Sequence, residues 1–148
     1  TMKDRCLVTA LNLASGKVVW EKNFDAEQKV RSNYFQSRSA STPVVDASGL
    51  YVFFETGNLI ALSHAGDTLW QRSLTKDYGP FESTIGLASS PLQTKDSVVL
   101  LIDHEGPSYL LSVEKQTGKT RWKTDRDSRV SYSSPALVPV GKEMQIVC

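Results

Sequence analysis

The sequence predicts an all-β fold built from a repeated four-stranded unit, on three observations. Three tryptophans, Trp20, Trp70 and Trp122, stand 50 and 52 residues apart. Each follows a glycine by four positions: Gly16, Gly66 and Gly118. A second marker, Ser-Thr-Pro or Ser-Ser-Pro, ends at Pro43, Pro91 and Pro135. Between each proline and the next tryptophan, apolar runs and turns keep one order, so the period marks a structural unit.

Taken in chain order, each unit reads as four strands, A to D. Strand A follows the Ser-x-Pro element. Strand B is "LYVFFE" in one unit and "SVVLLID" in the next, apolar throughout, as a strand covered on both faces should be. Strand C is "LIALS" or "YLLSVE". Strand D, "KVVWEKNF" or "DTLWQRSL", alternates apolar and polar residues and reads as an outer, half-wet strand. Runs rich in Val, Leu, Ile, Tyr and Phe between Gly, Asp, Asn and Ser clusters favour strands. No stretch carries a capped helical stripe for three turns.

Four strands per repeat of about 50 residues is the pattern of a β-propeller blade. The reading gives complete blades over residues 39–74 and 88–125. Residues 1–24 carry strands C and D only, and residues 133–148 carry strands A and B only. The expectation is therefore a single partial β-propeller of four-stranded antiparallel blades, two complete and two halved, and a fragment of a larger ring. In the C-to-D turns "LASGK", "SHAGD" and "KQTGK" the glycine supplies a positive φ. The tryptophan beyond it is expected to dock on the neighbouring blade's glycine turn, because a large indole needs cover and its N–H an acceptor. Recurrence on an outer strand favours this architectural role over a ligand platform.

Composition narrows the function classes. A net charge of +1 with interspersed signs provides no field for nucleic acid or an anionic membrane. No apolar run approaches the roughly 20 residues of a membrane span, so no direct membrane insertion is expected. The two cysteines, Cys6 and Cys148, make no Cys-x-x-Cys pair and are expected as small buried hydrophobes in strands.

The Ala-x-Asp-x-x-Thr-Gly-x-x-x-Trp element followed by Ser-Ser-Pro resembles the tryptophan-docking repeat of quinoprotein-like (PQQ-like) β-propellers. Ala10, Asn12, Ser15, Gly16 and Trp20 carry the first copy; Glu114, Thr117, Gly118 and Trp122 carry the third, with Ser112 where alanine is usual. The middle copy, "ALSHAGDTLW", is one residue shorter. The resemblance implies one of two roles. Quinoprotein dehydrogenases hold PQQ and Ca²⁺, marked by adjacent cysteines and a clustered Glu/Asn/Asp cation site, and this chain has no neighbouring cysteines. The non-catalytic, BamB-like branch uses the propeller as a docking surface in the bacterial envelope. The sequence is closer to that branch, which implies a non-enzymatic scaffold, no cofactor, protein partners and an extracytoplasmic location. The alternatives are a propeller enzyme whose site lies in other blades, or an extracytoplasmic sensor domain.

Topology selects a binding face. D-to-A connections and B-to-C turns share one face and are long: residues 25–38, 75–86, 103–109 and 125–132. Recognition usually resides on such loops. Tyr34, Arg38, Tyr78, Phe81, His104 and Arg129 are the candidate partner contacts, joined by Arg31, Phe35 and Lys76. The aromatic members have a second reading, folded inward to plug the junction between blades. "DHEG" at residues 103–106 reads as a solvated polar turn rather than a metal site, because adjacent strand-end side chains diverge. "DRDS" at residues 125–128 lacks the glycine and distant glutamate of a calcium loop, and no Gly-x-Ser-x-Gly elbow occurs.

Overall fold

The structure is a computed structural model describing residues 5–29, 39–84 and 86–148. Its strands run in chain order as β1 (Arg5–Leu11), β2 (Val18–Asp25), β3 (Val44–Asp46), β4 (Gly49–Phe53), β5 (Asn58–Leu62) and β6 (Thr68–Ser73). They continue as β7 (Leu92–Gln93), β8 (Ser97–Ile102), β9 (Ser108–Glu114), β10 (Thr120–Arg126), β11 (Ala136–Val140) and β12 (Glu143–Val147). They form four antiparallel meanders: β1-β2, β3-β4-β5-β6, β7-β8-β9-β10 and β11-β12. Two sheets are thus four-stranded and flanked by two-stranded ones, an open arc of propeller blades.

The middle sheet shows why its inner strands read as unbroken apolar runs. On β4 and the residue after it, Tyr51 and Phe53 join one buried cluster while Val52 and Phe54 join another. On β5, Leu59 and Ala61 face the first cluster, and Ile60 and Leu62 the second. Side chains alternate across a strand, so a sheet covered on both sides must be apolar at every position. The first cluster is shared with Val98, Leu100 and Ile102 of β8 and with Leu111 and Val113 of β9. The second is shared with Cys6 and Val8 of β1. Each such side chain contributes about 1.5–3 kcal/mol on burial, so adjacent sheets stabilise one another.

The outer strands β2 and β6 alternate between exposed and partly buried residues. Each tryptophan sits at one register position, opposite a small residue: Ala10↔Trp20, Ala61↔Trp70 and Ser112↔Trp122. A register shift accompanies each pair, at Ala10/Leu11, Ala61/Leu62 and Thr120/Trp122. Such bulges bend the strand and increase its local twist.

Two features depart from expectation. A short helix, α1 (Leu74–Tyr78), lies within a segment that reads as loop. Ser73 caps it by accepting from the Lys76 N–H, Asp77 lies in its first turn, and Gly79 at φ 98° ends it. Leu74 anchors it in the core with no exposure. The helix is too short for any periodicity to announce it. The cysteines also differ: Cys6 is buried in β1 as expected, whereas Cys148 is exposed beyond the end of β12, with Arg126 Nη1 at 3.1 Å. It lies past the last pair of its sheet, Ala136↔Val147, so no cross-strand neighbour covers it.

Candidate functional site

The blade junctions are built on two repeated contacts. The Trp20 indole lies over Gly66, where an added Cβ would stand 2.8 Å from its Cδ2, and its Nε1 donates to His64 O at 3.0 Å. Trp70 lies over Gly118, where a Cβ would stand 2.7 Å from Cε3, and its Nε1 donates to Lys115 O at 2.7 Å. Gly66 and Gly118 have φ of 87° and 69°, in the region that favours glycine. These glycines thus meet two demands at once: a left-handed turn and a surface flat enough for an aromatic face. Gly16, at φ 65°, has nothing within 4 Å of a Cβ, and Trp122 is 39% exposed. The structure brings Trp20 to Gly66 and Trp70 to Gly118, and leaves Gly16 and Trp122 at opposite ends of the arc.

The turns carry the one-residue difference seen in the repeats. Gly16 and Gly118 each donate to the carbonyl four residues earlier, of Asn12 and Glu114. Gly66 donates to Ser63, three residues earlier. The shorter middle turn still presents its glycine to the indole.

A second ladder follows the Ser-x-Pro elements, whose spacing was visible but whose chemistry was not. Ser41 Oγ donates to Ser89 O at 2.8 Å, Thr42 N to Ser90 Oγ at 2.9 Å, and Ser90 N to Ser134 Oγ at 2.9 Å. Successive blades are thus joined at strand A as well as at strand D. A third tie has no sequence period at all. Lys115, with its side chain only 4% exposed, sends Nζ to Asp46 of the preceding sheet and to Thr94 O at 2.6 Å. The ammonium also lies 5.6 Å from the centre of the Tyr51 ring. Hydrogen bonding from Lys115, and then from Ser48, pulls the Asp46 carboxyl down to about 2.

The long-loop residues divide between the core and the surface. Phe81 is in the core at 6% exposure, set edge-on to Phe53. Gln28 holds its backbone from both sides, Nε2 donating to Phe81 O and Oε1 accepting from Phe81 N, both at 2.8 Å. His104 is 2% exposed, its ring centre 5.5 Å from that of Phe81. Its Nδ1 accepts from Gly106 N at 3.0 Å and Glu82 N at 3.2 Å, and burial pushes its pKa down, both favouring a neutral ring. Asp103 is buried against Arg126, with Nε to Oδ1 at 3.0 Å. In the segment 103–106, Asp103, His104 and Gly106 are therefore buried, and Glu105 alone is exposed. The D-to-A connection folds over it, with Glu105 N donating to Glu82 O. Phe81 and His104 accordingly leave the list of partner contacts, since neither reaches solvent.

Tyr78 is half-buried and serves the junction: its hydroxyl meets Thr120 Oγ1 at 2.6 Å and its ring packs on Tyr109 at 5.3 Å. Arg72 joins the same tie, Nη1 donating to Gly118 O at 2.7 Å and Nη2 to Asp77 at 2.7 Å. Arg129 is exposed and loosely paired with Asp127 at 3.4 Å. Lys76 and Glu105 are also exposed on these loops. Tyr34 and Arg38, with Arg31 and Phe35, lie outside the described residues.

Among the described residues no three His, Cys, Asp or Glu side chains converge on a metal position, and Cys6 and Cys148 are far apart in sequence. No helix among them is long and apolar enough to cross a membrane.

Tryptophan-docked antiparallel blades joined by a serine ladder define an arc of a PQQ-like β-propeller. The chain belongs to the family described as outer membrane protein assembly factor BamB, whose profile matches residues 2–140. Among solved structures it is similar to BamB from Moraxella catarrhalis, at 15% identity and TM-score 0.57, covering 93% of this chain and 36% of that one. It is also similar to a europium-containing methanol dehydrogenase, at 16% identity and TM-score 0.59, covering 80% of this chain and 21% of that one. A quinohemoprotein alcohol dehydrogenase from Comamonas testosteroni matches at 18% identity and TM-score 0.57, covering 80% and 18% of the respective chains. The chain spans about a fifth of the length of these dehydrogenases and about a third of that BamB. At such identities the likeness is one of fold. No curated protein matches the sequence.

Two outcomes follow from the junctions. Gly118→Ala adds the strain of a positive φ and a collision with the Trp70 ring; Gly141→Ala, at φ 62° with nothing within 4 Å, adds the strain alone. In urea denaturation Gly118→Ala should lose about 1–3 kcal/mol more than Gly141→Ala, the usual cost of overpacking; equal losses would show that docking contributes nothing. The second concerns acid. Because the folded-state pKa of Asp46 is depressed, its stabilisation is complete above the ordinary carboxylate range and is lost as pH falls toward 2. At neutral pH Asp46→Asn should destabilise the fold by leaving Lys115 buried without its counter-ion. The gap between wild type and variant should narrow by roughly 1–2 kcal/mol from pH 5 to pH 2, the carboxylate being partly solvent-screened. A gap that is constant with pH would contradict the pairing.

Proposed function

We propose that the chain is a non-enzymatic protein-docking scaffold of the bacterial cell envelope, acting in an extracytoplasmic place as BamB-family proteins do. The observation that carries this reading is the engagement of its chemically capable buried groups in structure. Asp46 and Lys115 tie two sheets, Asp103 holds Arg126, His104 accepts backbone N–H groups, and Arg72 spans a junction. The family match over residues 2–140 supports the same role. Among the described residues, the long-loop face leaves accessible a mixed-charge surface, Lys76, Glu105, Asp127 and Arg129, on a scaffold docked at two junctions by Trp20 and Trp70. Complementary charges of this kind set the specificity and on-rate of a protein partner more than its affinity.

The partner expected from the family is a component of outer-membrane protein assembly. The test is co-purification from bacterial envelopes of those components with the chain in its native polypeptide, against the charge-reversed variant Glu105→Lys with Arg129→Glu. Recovery should fall about tenfold or more, with the melting temperature unchanged and recovery of the wild type declining as salt is raised. Undiminished recovery by the variant would overturn the assignment of the face.

A further inference from the structure

His104 is held in the fold by what its ring accepts. Its Nδ1 takes backbone N–H groups from two separate segments, Gly106 of its own turn at 3.0 Å and Glu82 of the D-to-A connection at 3.2 Å. A ring nitrogen that accepts in this way carries no proton. Residues 81–84 meet the turn at two further points, Glu105 N donating to Glu82 O at 2.8 Å and Thr84 Oγ1 to Glu105 Oε1 at 2.7 Å. The fit is close: a Cβ on Gly106 would stand 2.9 Å from Cε1 of the ring and 3.1 Å from Glu82 Oε1. Turn and connection therefore close on the imidazole from both sides because position 106 is glycine. Phe81, at the start of the same segment, packs against the ring with centres 5.5 Å apart, so the histidine and a core aromatic are seated together.

We propose that His104 is a pH-sensitive latch: with Nδ1 unprotonated it holds residues 81–84 on the 103–106 turn, and with Nδ1 protonated it lets them go. An imidazolium presents an N–H where two backbone N–H groups already point, so both accepted bonds are lost together. The charged groups around the ring are Glu82 from the connection, Asp103 and Glu105 from its own turn, and Arg126 of β10, which is paired with Asp103. Asp127 and Arg129 flank Ser128, whose Oγ donates to Gly106 O at 2.9 Å. Burial is the largest influence on the ring and favours its neutral form. Backbone hydrogen bonding at Glu82 and Pro107 and the charges of Glu82 and Asp103 oppose it and are outweighed. Opening frees the ring to titrate in the ordinary histidine range. The closed state is therefore fully favoured above that range and loses ground as pH falls below it toward the ring's own lowered value. Any bearing on partner binding rests on the docking reading above, through Glu105; the latch itself does not.

The test needs no partner: amide hydrogen exchange of the chain, followed by NMR from about pH 7 to about pH 5, with the ring nitrogens of His104 observed in the same samples. Relative to the intrinsic rates, exchange at the Glu82 and Gly106 amides should quicken by about tenfold per pH unit below the ordinary histidine range, while the amides of β8 stay protected. His104→Asn keeps an acceptor close to the Nδ1 position that does not titrate, so the acid response of both amides should disappear. Where that variant fails to fold, the wild-type titration decides the matter by itself. Protection at Glu82 and Gly106 that is unchanged while the ring protonates would overturn the latch. So would the same acid response in His104→Asn, or a ring that stays neutral until the whole chain unfolds.

Discussion

The structure depends on one reciprocal contact: an indole laid flat on a glycine turn of the next sheet. Each partner is meaningless alone. The glycine is required by the positive φ of its turn, and its missing Cβ leaves the space the ring fills. The ring in turn finds a carbonyl for its N–H only because that turn folds tightly enough to expose one, His64 in one case and Lys115 in the other. Neither group is deeply buried by its own sheet. The contact therefore couples the sheets, and the bulge ahead of each tryptophan keeps the indole at one register across all three copies.

Around that contact the junctions are reinforced by polar ties of different depth. The serine ladder joins neutral groups at strand A, and each of its bonds is worth on the order of 1 kcal/mol. Lys115 is a different case, because a buried ammonium costs several kcal/mol in desolvation unless its partners are in place. Its bonds to Asp46 and to the Thr94 carbonyl offset that cost only when two sheets are correctly seated. The D-to-A connection works in the same direction, since Leu74, Phe81 and Leu87 from residues 74–87 enter the core cluster between two sheets. Among the described residues, much of the long-loop face is consequently a lid on the junction.

The fold was readable because its determinants are periodic. Alternation on β2 and β6, unbroken apolar runs on β4 and β8, and glycine four residues before tryptophan each reflect a local rule that the sequence displays directly. The site residues were less readable because their fate depends on contacts without period. Phe81 offered no signal to separate an anchor from a plug, and Gln28, 53 residues away, decides it through the backbone. His104 sits in a polar tetrapeptide that reads as wet, and only the overlying Glu82 segment makes it dry. The Lys115–Asp46 tie spans 69 positions and joins residues unremarkable in their own turns. The serine ladder is intermediate: its recurrence was plain, but hydrogen bonds across blades follow only once the sheets are placed side by side.

A family of outer membrane protein assembly factors and solved methanol and quinohemoprotein alcohol dehydrogenases share this architecture, which shows how little of the blade itself is reserved for chemistry. In this chain the docking tryptophans and glycines serve cohesion. The most direct measurement of that cohesion is hydrogen exchange at the indole N–H groups, followed by NMR. Exchange at Trp20 and Trp70 should be slowed in step with the core amides of β5 and β9, because opening either indole requires the sheets to part. Exchange of both at the rate of a free indole, while those amides stay protected, would contradict the account.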